Sequence, residues 1–551
     1  IIKNDLIVFG GLVAAMICLV LFLLFRKPRW IVITVLCCAC SVLPTMGLFG
    51  IFDLETTVIS SSFIALQLIL TLAMVVHLIV QYREYSAAHP DWSQRELVRQ
   101  TLLRKIKPTF YAGLTTGIGL ASLLTTDLQP VISFGWMMVI ALFVSIVVSL
   151  ILFPALLVLL PREQPRKPIR FFHAIVNVVT SAVQKHGGIT LLVGGLVFAA
   201  GSAGMFFLNV ENSFINYFRP STDVYKELSF IDRELGGTTP LDIIYTVSPE
   251  EEKEEADLVL SADTVQQLQR IQASLERYKA VGKVISVVNA TELAVLANDG
   301  RPLTEYELTA VYWALEDALR TELLGSFLAP EHSQVRFNAR IQDTTEGLDR
   351  AELLADIGRD MRELGIPGDR FVLTGLFVLY QDILQRLYRS QIQSLGAAYI
   401  VLVLTFLAVF RSIRIALVGV TPNIFATLLV LGVMGWLGIP LDIMTITIAS
   451  VGIGMAVDDT IHYVQRYREE LQNVPGSRAV ENTNFSVGYA MIYTALIVIL
   501  GFSLLAFSDF MPSVMFGLLT SLAMALALLA SLSILPVLLI RFVKRNAGSA
   551  D

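Results

Sequence analysis

Two adjacent carboxylates stand inside a strongly apolar stretch of this sequence. Asp458 and Asp459 lie in segment 452–462, GIGMAVDDTIH. Within a bilayer each ionised carboxylate costs at least ~2.5 kcal/mol, and two neighbours also repel each other. Exchange of protons with a water wire would explain that cost, because it would let a proton gradient move a helix bundle. The pair is a predicted proton relay, and hydrogen bonding to neighbouring helices is the alternative.

Three further side chains are predicted to serve the carboxylates. His462 follows Asp458 by four residues and shares its helical face, so it could relay protons toward the cytoplasm. An equal depth into the next apolar stretch reaches Tyr493 and Thr494, whose hydroxyls could contact the carboxylates. The alternative for both hydroxyls is a hydrogen bond to their own helix.

The elements that carry these residues are predicted to be membrane-spanning helices. The chain has 551 residues, of which 55% are hydrophobic, too many for a water-soluble protein of this size. A hydrocarbon core of about 30 Å needs roughly 20 apolar residues per helix. Eleven stretches qualify: 5–25, 30–51, 56–81, 107–126, 131–160, 188–208, 393–410, 413–437, 441–466, 485–507 and 513–542.

The charges are sorted by loop. Lys and Arg cluster on alternate loops, which are therefore predicted to be cytoplasmic. The opposite loops, near Asp53, Asp127, Asp442 and Asp509, carry no Lys or Arg. These loops are predicted to lie outside, together with segment 209–392.

Several kinds of chemistry are not expected. The four cysteines lie in predicted spans, where packing is favoured over metal binding or disulfides: Cys18, Cys37, Cys38 and Cys40. No GxxxxGK[ST] phosphate loop occurs, which argues against nucleotide hydrolysis. We expect no metal, no other cofactor and no nucleic-acid partner, and the proton is the predicted coupling ion.

The apolar part of the sequence repeats itself. Segment 126–130, TDLQP, matches segment 508–512, SDFMP, and Pro154 and Pro536 keep the same separation. A parallel repeat of this kind predicts a pseudo-twofold axis along the membrane normal. The depth count that reached Tyr493 and Thr494 gives Thr115 and Thr116 in the first half, again with back-bonding as the alternative.

The repeat is not symmetric at the carboxylates. His77 corresponds to His462, but Ala73 and Met74 stand where Asp458 and Asp459 would be. One relay is therefore predicted, with one ion-coupling half and one supporting half. Because His77 has no carboxylate beside it in sequence, a role of both histidines as interfacial anchors is the alternative to a relay.

Segment 209–392 is charged and mixed, and is predicted to be a soluble domain. Alternating or β-rich runs at 241–247, 283–288, 334–341 and 370–377 predict strands. Helical patterns at 263–280 and 346–364 fall between them. This order predicts a ferredoxin-like split β-α-β unit with a helical insertion. Two amphipathic segments, 91–106 and 168–184, are predicted to lie on the membrane surface, with packing on the bundle as the alternative.

The sequence resembles a known family at its site helix. The glycine-rich run into VDDTIHY at 457–463, the following RYREE at 466–470 and the inserted outer domain resemble the RND superfamily, in particular its MMPL-like and hopanoid-exporter-like bacterial branch. The resemblance implies a proton-driven exporter with twelve helices and two porter domains of β-α-β type. It implies that Asp458 and Asp459 are the proton-relay carboxylates, and that the chain lacks the family's first helix and first porter domain.

The resemblance also implies a function and a location. The expected function is export of lipids or other hydrophobic molecules, driven by the proton motive force, from the bacterial inner membrane toward the periplasm. The alternatives are a sterol-sensing-type lipid sensor or scaffold and a SecDF-like accessory subunit of protein translocation. The expected partners are membrane lipids or hydrophobic small molecules, with a homo-oligomer and a periplasmic acceptor protein left open.

The predicted fold is a polytopic α-helical membrane protein, of about 11 spans in two parallel repeats, with an extracytoplasmic α+β porter domain. The predicted parts are a first transmembrane half (1–160), a cytoplasmic linker with an interfacial helix (161–187), a single transmembrane helix (188–208), the periplasmic porter domain (209–392) and a second transmembrane half (393–546).

Overall fold

The computed structural model consists of two compact units, Ile1–Val210 with Leu387–Asp551, and Glu211–Arg386. It describes residues 2–54, 63–126, 128–163, 170–208, 213–247 and 262–543, except 302, 305, 308–309, 311–313, 315, 317–320, 322–323, 330–331 and 443.

Helices dominate the first unit. The longer helices of the described chain are α1 (Ile2–Phe25), α2 (Pro28–Ile51), α3 (Phe63–Ala88), α4 (Gln94–Ala121), α5 (Gln129–Val158), α6 (Arg170–Ser202), α7 (Asp223–Glu234), α8 (Ala262–Leu275), α9 (Val287–Ala297), α10 (Arg350–Glu363), α11 (Leu376–Phe410), α12 (Ile413–Trp436), α13 (Thr445–Asn473), α14 (Gly476–Ser503) and α15 (Met511–Phe542). Helices α1–α6 and α12–α15, with the part of α11 from residue 387, build this unit.

Each of the eleven predicted apolar stretches overlaps one of these helices. Eight helices in the described ranges are long and apolar enough to cross a membrane: Pro28–Ile51, Phe63–Ala88, Gln129–Val158, Phe172–Phe207, Ile392–Phe410, Ile413–Trp436, Gly476–Phe507 and Met511–Phe542. The apolar part of α1, Gly10–Phe25, is shorter. Helices α4 and α13 carry charged residues that lower their hydropathy. Eleven spans stay a prediction.

The two halves share local geometry at equivalent positions. Arg26 and Arg411, which directly follow α1 and α11, both have a left-handed backbone with φ of 51°. Short 3₁₀ turns, Ser122–Thr125 and Leu504–Phe507, follow α4 and α14. Gly135 and Gly517 face the matching carbonyl oxygens of Leu120 and Phe502. These shared features are those expected of a duplicated helical half.

The two amphipathic segments are packed on the helical unit where the structure describes them. Segment 91–106 leads into α4 and forms its first turns, with Leu97 and Thr101 buried. The first part of α6 buries Val176 and Val183 in a core cluster with helices α11 to α15. This is the alternative that the sequence left open, although Leu103 and Val178 remain exposed.

A small antiparallel sheet forms the centre of the second unit. Its strands are β1 (Thr239–Thr246), β2 (Val281–Ile285), β3 (Leu328–Ala329), β4 (Gln334–Ile341) and β5 (Phe371–Thr374). The sheet order is β2-β4-β1-β5, with β3 paired to β4 and every pairing antiparallel. Alternate side chains of β4, such as Phe337, are buried in one core with Ile271 of α8 and Ile357 of α10. The four longer strands follow the order of the split β-α-β unit predicted from the sequence.

Glycines bring α6 and α12 into backbone contact. A Cβ added to Gly432 would meet the carbonyl oxygen of Gly201, and a Cβ added to Gly204 would meet that of Gly432. A Cβ on Gly435 would likewise meet the carbonyl oxygen of Gly204. The end of α6 is therefore held against α12 at a distance that only glycine permits.

We expect Gly432→Ala to destabilise the helical unit by about 1–3 kcal/mol, the usual cost of overpacking. The matched control is Gly195→Ala on α6, because no atom lies within 4 Å of a Cβ added there. The control should be neutral or stabilising by up to about 1 kcal/mol, since alanine favours helix. Thermal unfolding of both variants in the same lipid nanodiscs checks this, and equal midpoints would contradict the close contact.

Asp232 ties α7 to the turn after β4. Its carboxylate accepts hydrogen bonds from the hydroxyl and N–H of Thr344 at 2.6 and 3.0 Å, from those of Thr238 at 2.7 and 3.0 Å, and from the N–H of Asp343 at 2.9 Å. Burial alone would raise the pKa of Asp232, but these hydrogen bonds bring the pKa below its usual value.

Asp232→Asn should destabilise the second unit at pH 7 by about 1.5–3 kcal/mol, as for loss of hydrogen bonds to a charged group. Because the folded pKa is lowered, the carboxylate stabilises fully above an unfolded pKa of about 3.9 and loses this effect as pH falls through the folded value. Hydrogen-exchange protection of segment 334–345, corrected for intrinsic rates, should differ between wild type and variant at pH 7. The difference should shrink near pH 3, and an equal difference at both pH values would refute the assignment.

Candidate functional site

The site helix α13 is fixed at its start by a capping carboxylate. Asp442 accepts hydrogen bonds from the N–H groups of Met444 and Thr445 at 2.9 and 2.7 Å, which satisfies donors that a helix start leaves unpaired. One face of the helix then presents Asp458, Asp459 and His462 toward neighbouring helices.

Close packing brings α4 against this part of α13. A Cβ on Gly119 would lie 3.0 Å from the Cα atom of Gly454. Thr116 donates a 2.6 Å hydrogen bond to the carbonyl oxygen of Gly454. Thr115 instead bonds back to the carbonyl oxygen of Ala112, at 2.8 Å. Of the two first-half threonines, only Thr116 therefore contacts the site helix.

Each carboxylate has a histidine beside it. The Nε2 atom of His462 lies 3.2 Å from Oδ1 of Asp458. The Nε2 atom of His77, on α3, lies 3.8 Å from Oδ1 of Asp459. The two imidazole rings stack with centroids 4.5 Å apart and an interplanar angle of 28°. The equivalent histidines of the two halves thus meet at the carboxylate pair.

Only one of the two side chains predicted to contact the carboxylates through a hydroxyl group does so. Thr494 donates to Oδ1 of Asp459 at 3.4 Å, and also contacts carbonyl oxygens of its own helix at 3.0 Å. Tyr493 is turned away and packs its ring edge-on against Phe25 and Phe172, with centroids 6.2 and 5.1 Å apart. The structure therefore brings Thr494 to the carboxylates and gives Tyr493 an aromatic environment.

A small cavity lies beside these groups. It is enclosed by residues of α3, α4, α13, α14 and α15: Ile69, Leu70, Ala73, Met74, His77, Thr109, Ala112, Thr116, Met455, Asp458, Asp459, His462, Thr494, Val498 and Met524. Ala73 and Met74, which replace the carboxylates in the first half, line the same cavity. One cavity is therefore lined by the carboxylates of the second half and by the uncharged residues that replace them in the first half.

One titratable partner of the site, His77, was underestimated in the sequence, and a second, Lys105, was missed. His77 is 2% exposed, whereas an interfacial anchor would be solvated. The repeat itself carried the signal, because a pseudo-twofold axis brings equivalent residues together near the axis. Lys105 is buried on α4, on the stripe that continues through Thr109 to the cavity, and interacts electrostatically with Asp458. Its spacing of four from Thr101 and Thr109 was the available signal.

A charged network lies on the same helices beyond the histidines. Arg466 contacts Glu470 at 2.9 Å and Glu84 at 3.8 Å. Ser486 donates to Glu84 at 3.2 Å, and Arg104 pairs with Glu469. The last two contacts occupy equivalent places in the two halves, so the repeat extends to this network.

The site also has donors that suit a cation. His77, Asp458 and His462 each offer one ligand atom, and these atoms lie within 4.8 Å of one another. Two imidazoles and a carboxylate are a donor set that a divalent metal could use. Among the described residues, neither ring nitrogen of His77 has a hydrogen-bond partner. The prediction that no metal is required stays a prediction.

The sequence matches the MMPL family over residues 1–185 and 220–547, which include every residue of the site. The chain belongs to the MMPL family. Members of this family are membrane-embedded transporters and not enzymes. This MMPL protein is also similar to a Methanocaldococcus jannaschii protein described as a membrane protein, with 23% identity over 346 residues that cover 61% of this chain and 87% of that relative.

We expect Thr494→Val and Tyr493→Phe to differ at the carboxylates, although each removes one hydroxyl. A hydrophobic carbodiimide modifies protonated carboxyl groups, and Thr494 favours the ionised form of Asp459 by donating to it. At a fixed pH, modification of Asp459 should rise several-fold in Thr494→Val and stay within about twofold of wild type in Tyr493→Phe. Mass spectrometry of the modified peptide gives both values. Equal changes in the two variants would show that the observed geometry does not govern Asp459.

Proposed function

We propose that this protein uses the proton motive force to export lipids or other hydrophobic molecules from the inner membrane toward the periplasm. The observation that carries the proposal is the position of the buried Asp459 and the largely buried Asp458 at a contact between the two repeat halves, each beside a histidine from a different half. Buried ionisable groups at a helix interface are costly, and proton transfer is a use that requires them.

Protonation would change the forces between the halves. An ionised Asp459 attracts a protonated His77 across the interface between α13 and α3, whereas a neutral carboxyl group does not. In a low-dielectric site this difference is larger than at a surface. Loss or gain of the attraction would bias the packing of α3 against α13 and α14.

A proton gradient supplies energy of the required size. One elementary charge crossing 100 mV releases about 2.3 kcal/mol. Because about 1.4 kcal/mol corresponds to a tenfold change in an equilibrium constant, this energy would shift a two-state equilibrium roughly fiftyfold. Lys105 would attract an ionised Asp458 from the side of α4. His462 would pass protons between Asp458 and the network around Arg466.

Hydrophobic cargo is supported by family membership and by the apolar surfaces of the helical unit. Helix α6 exposes Leu192 and Leu196, and α11 exposes Ile400 and Leu404. Such faces suit lipid contact. The second unit would lie outside, as the distribution of Lys and Arg predicts, and would form the porter domain of residues 209–392. A homo-oligomer and a periplasmic acceptor are open partners.

Asp458→Asn and Asp459→Asn should each reduce gradient-driven proton uptake at least tenfold, because an amide cannot exchange the proton. Proteoliposomes of mixed bacterial phospholipids, with an entrapped pH-sensitive dye and an imposed proton gradient, provide the measurement. The matched control is Asp509→Asn, which neutralises an exposed carboxylate outside the site and should retain the wild-type rate. Retention of lipids by the purified proteins, measured by mass spectrometry, shows that the variants are folded.

Wild-type uptake in both site variants would reject the proton-coupled mechanism. If lipids were still retained, that result would favour the sterol-sensing-type sensor, which has no need of the carboxylate pair. Copurification of a protein translocon in place of lipid would favour the accessory role.

A further inference from the structure

A chain of buried hydrogen bonds leaves the site helix one residue after His462. The hydroxyl of Tyr463 donates to Oδ1 of Asn484 on α14 at 2.7 Å. The Nδ2 atom of Asn484 donates to the hydroxyl of Thr180 on α6 at 2.9 Å. The three side chains are 0%, 1% and 4% exposed. Three helices are therefore joined by polar contacts from which water is excluded.

The surroundings of this chain are apolar. Val176, Val183, Tyr467 and Val480 belong to the core cluster that encloses it. Apolar side chains of similar size would fill the same space without the desolvation cost of a hydroxyl and an amide. A hydrogen-bonded chain forms in only one relative placement of its helices, because N–H···O and O–H···O bonds weaken steeply with distance and angle. The polar chain thus specifies the register of α13, α14 and α6.

Helix α6 has a kink six residues after Thr180. His186 has non-helical backbone angles, φ −131° and ψ 32°, which divide α6 into two segments. Thr180 lies in the first segment. The second segment ends at the glycine contact with α12 described above. The first segment can therefore change its angle about His186 while the far end stays fixed.

We propose that Tyr463, Asn484 and Thr180 couple the site to α6. The proposal rests on the proposed proton-coupled function. Asp458 contacts His462 on its own helix at 3.2 Å and lines the cavity opposite residues of α3 and α4. Removing its charge therefore changes the packing of α13 against these helices and shifts the neighbouring Tyr463. The hydrogen bonds carry that shift through Asn484 to the first segment of α6. Tyr463, Asn484 and Thr180 are positioning residues and do not exchange the coupling proton.

The test compares α6 in the presence and absence of the Asp458 charge at one pH. The full chain, with its four cysteines replaced by alanine, carries spin labels at Val178 on α6 and Ile151 on α5, which are 69% and 66% exposed. Double electron–electron resonance in nanodiscs gives the distance between labels. Asp458→Asn should shift this distance by a few ångströms with Tyr463 present, and Tyr463→Phe should abolish at least two-thirds of the shift. Asn484→Leu should have the same effect.

The matched control is Tyr399→Phe. Tyr399 is a half-buried tyrosine of α11 whose hydroxyl donates to the carbonyl oxygen of Asn423 at 3.0 Å, outside the proposed chain. Tyr399→Phe should leave the Asp458→Asn shift intact. Hydrogen exchange of segment 172–190 in the cysteine-containing protein provides a second readout, in which Asp458→Asn changes protection only with Tyr463 present.

The outcomes separate the two proposals. Carbodiimide modification of Asp458 or Asp459 is measured in wild type and in Tyr463→Phe. Values within about twofold of each other show that the proton site works without the hydrogen bonds of Tyr463. If the Asp458→Asn shift persists unchanged in Tyr463→Phe, the coupling role is overturned while the proton site stands. If neither carboxylate is ever modified and proton uptake is absent, the proposed function fails instead.

Discussion

The cost of burying two neighbouring carboxylates in an apolar helical unit constrains most of this structure. Asp458 and Asp459 cannot be solvated as they would be in water, so nearby side chains must serve as their partners. His462 lies on the same helix, Thr494 on α14 and His77 on α3. The close contact of Gly119 with Gly454 holds α4 against the same site. Packing in this region serves an electrostatic requirement as much as a hydrophobic one.

Periodic and compositional features of the chain were predictable from its sequence. Apolar stretches of about 20 residues located the long helices, and the spacing of strands and helices between 209 and 392 gave the order of a split β-α-β unit. These features are local, so one sequence is sufficient to recognise them. The repeat was visible because the segments TDLQP and SDFMP are each followed by a proline, Pro154 and Pro536, at the same separation.

Side-chain directions were less predictable, because they depend on helix rotation and on neighbouring packing. Thr494 and Tyr493 lie at one depth, yet the residues are about 100° apart around α14, and only Thr494 faces Asp459. His77 was underestimated because its own helix carries no carboxylate, although the neighbouring helix supplies one. Lys105 lay in a segment whose amphipathic pattern equally fitted a membrane surface. Such assignments need the relative placement of helices, which sequence periodicity does not contain.

The stacked histidines limit the stoichiometry of any ion that uses this site. Two imidazolium rings with centroids 4.5 Å apart would repel by roughly 4 kcal/mol at an effective dielectric of 20. The pair therefore accommodates one positive charge at a time. Transfer through it is sequential, with a second proton admitted only after the first has left. A transporter that uses this contact would transfer one ion at a time, although each of its two halves contributes a histidine.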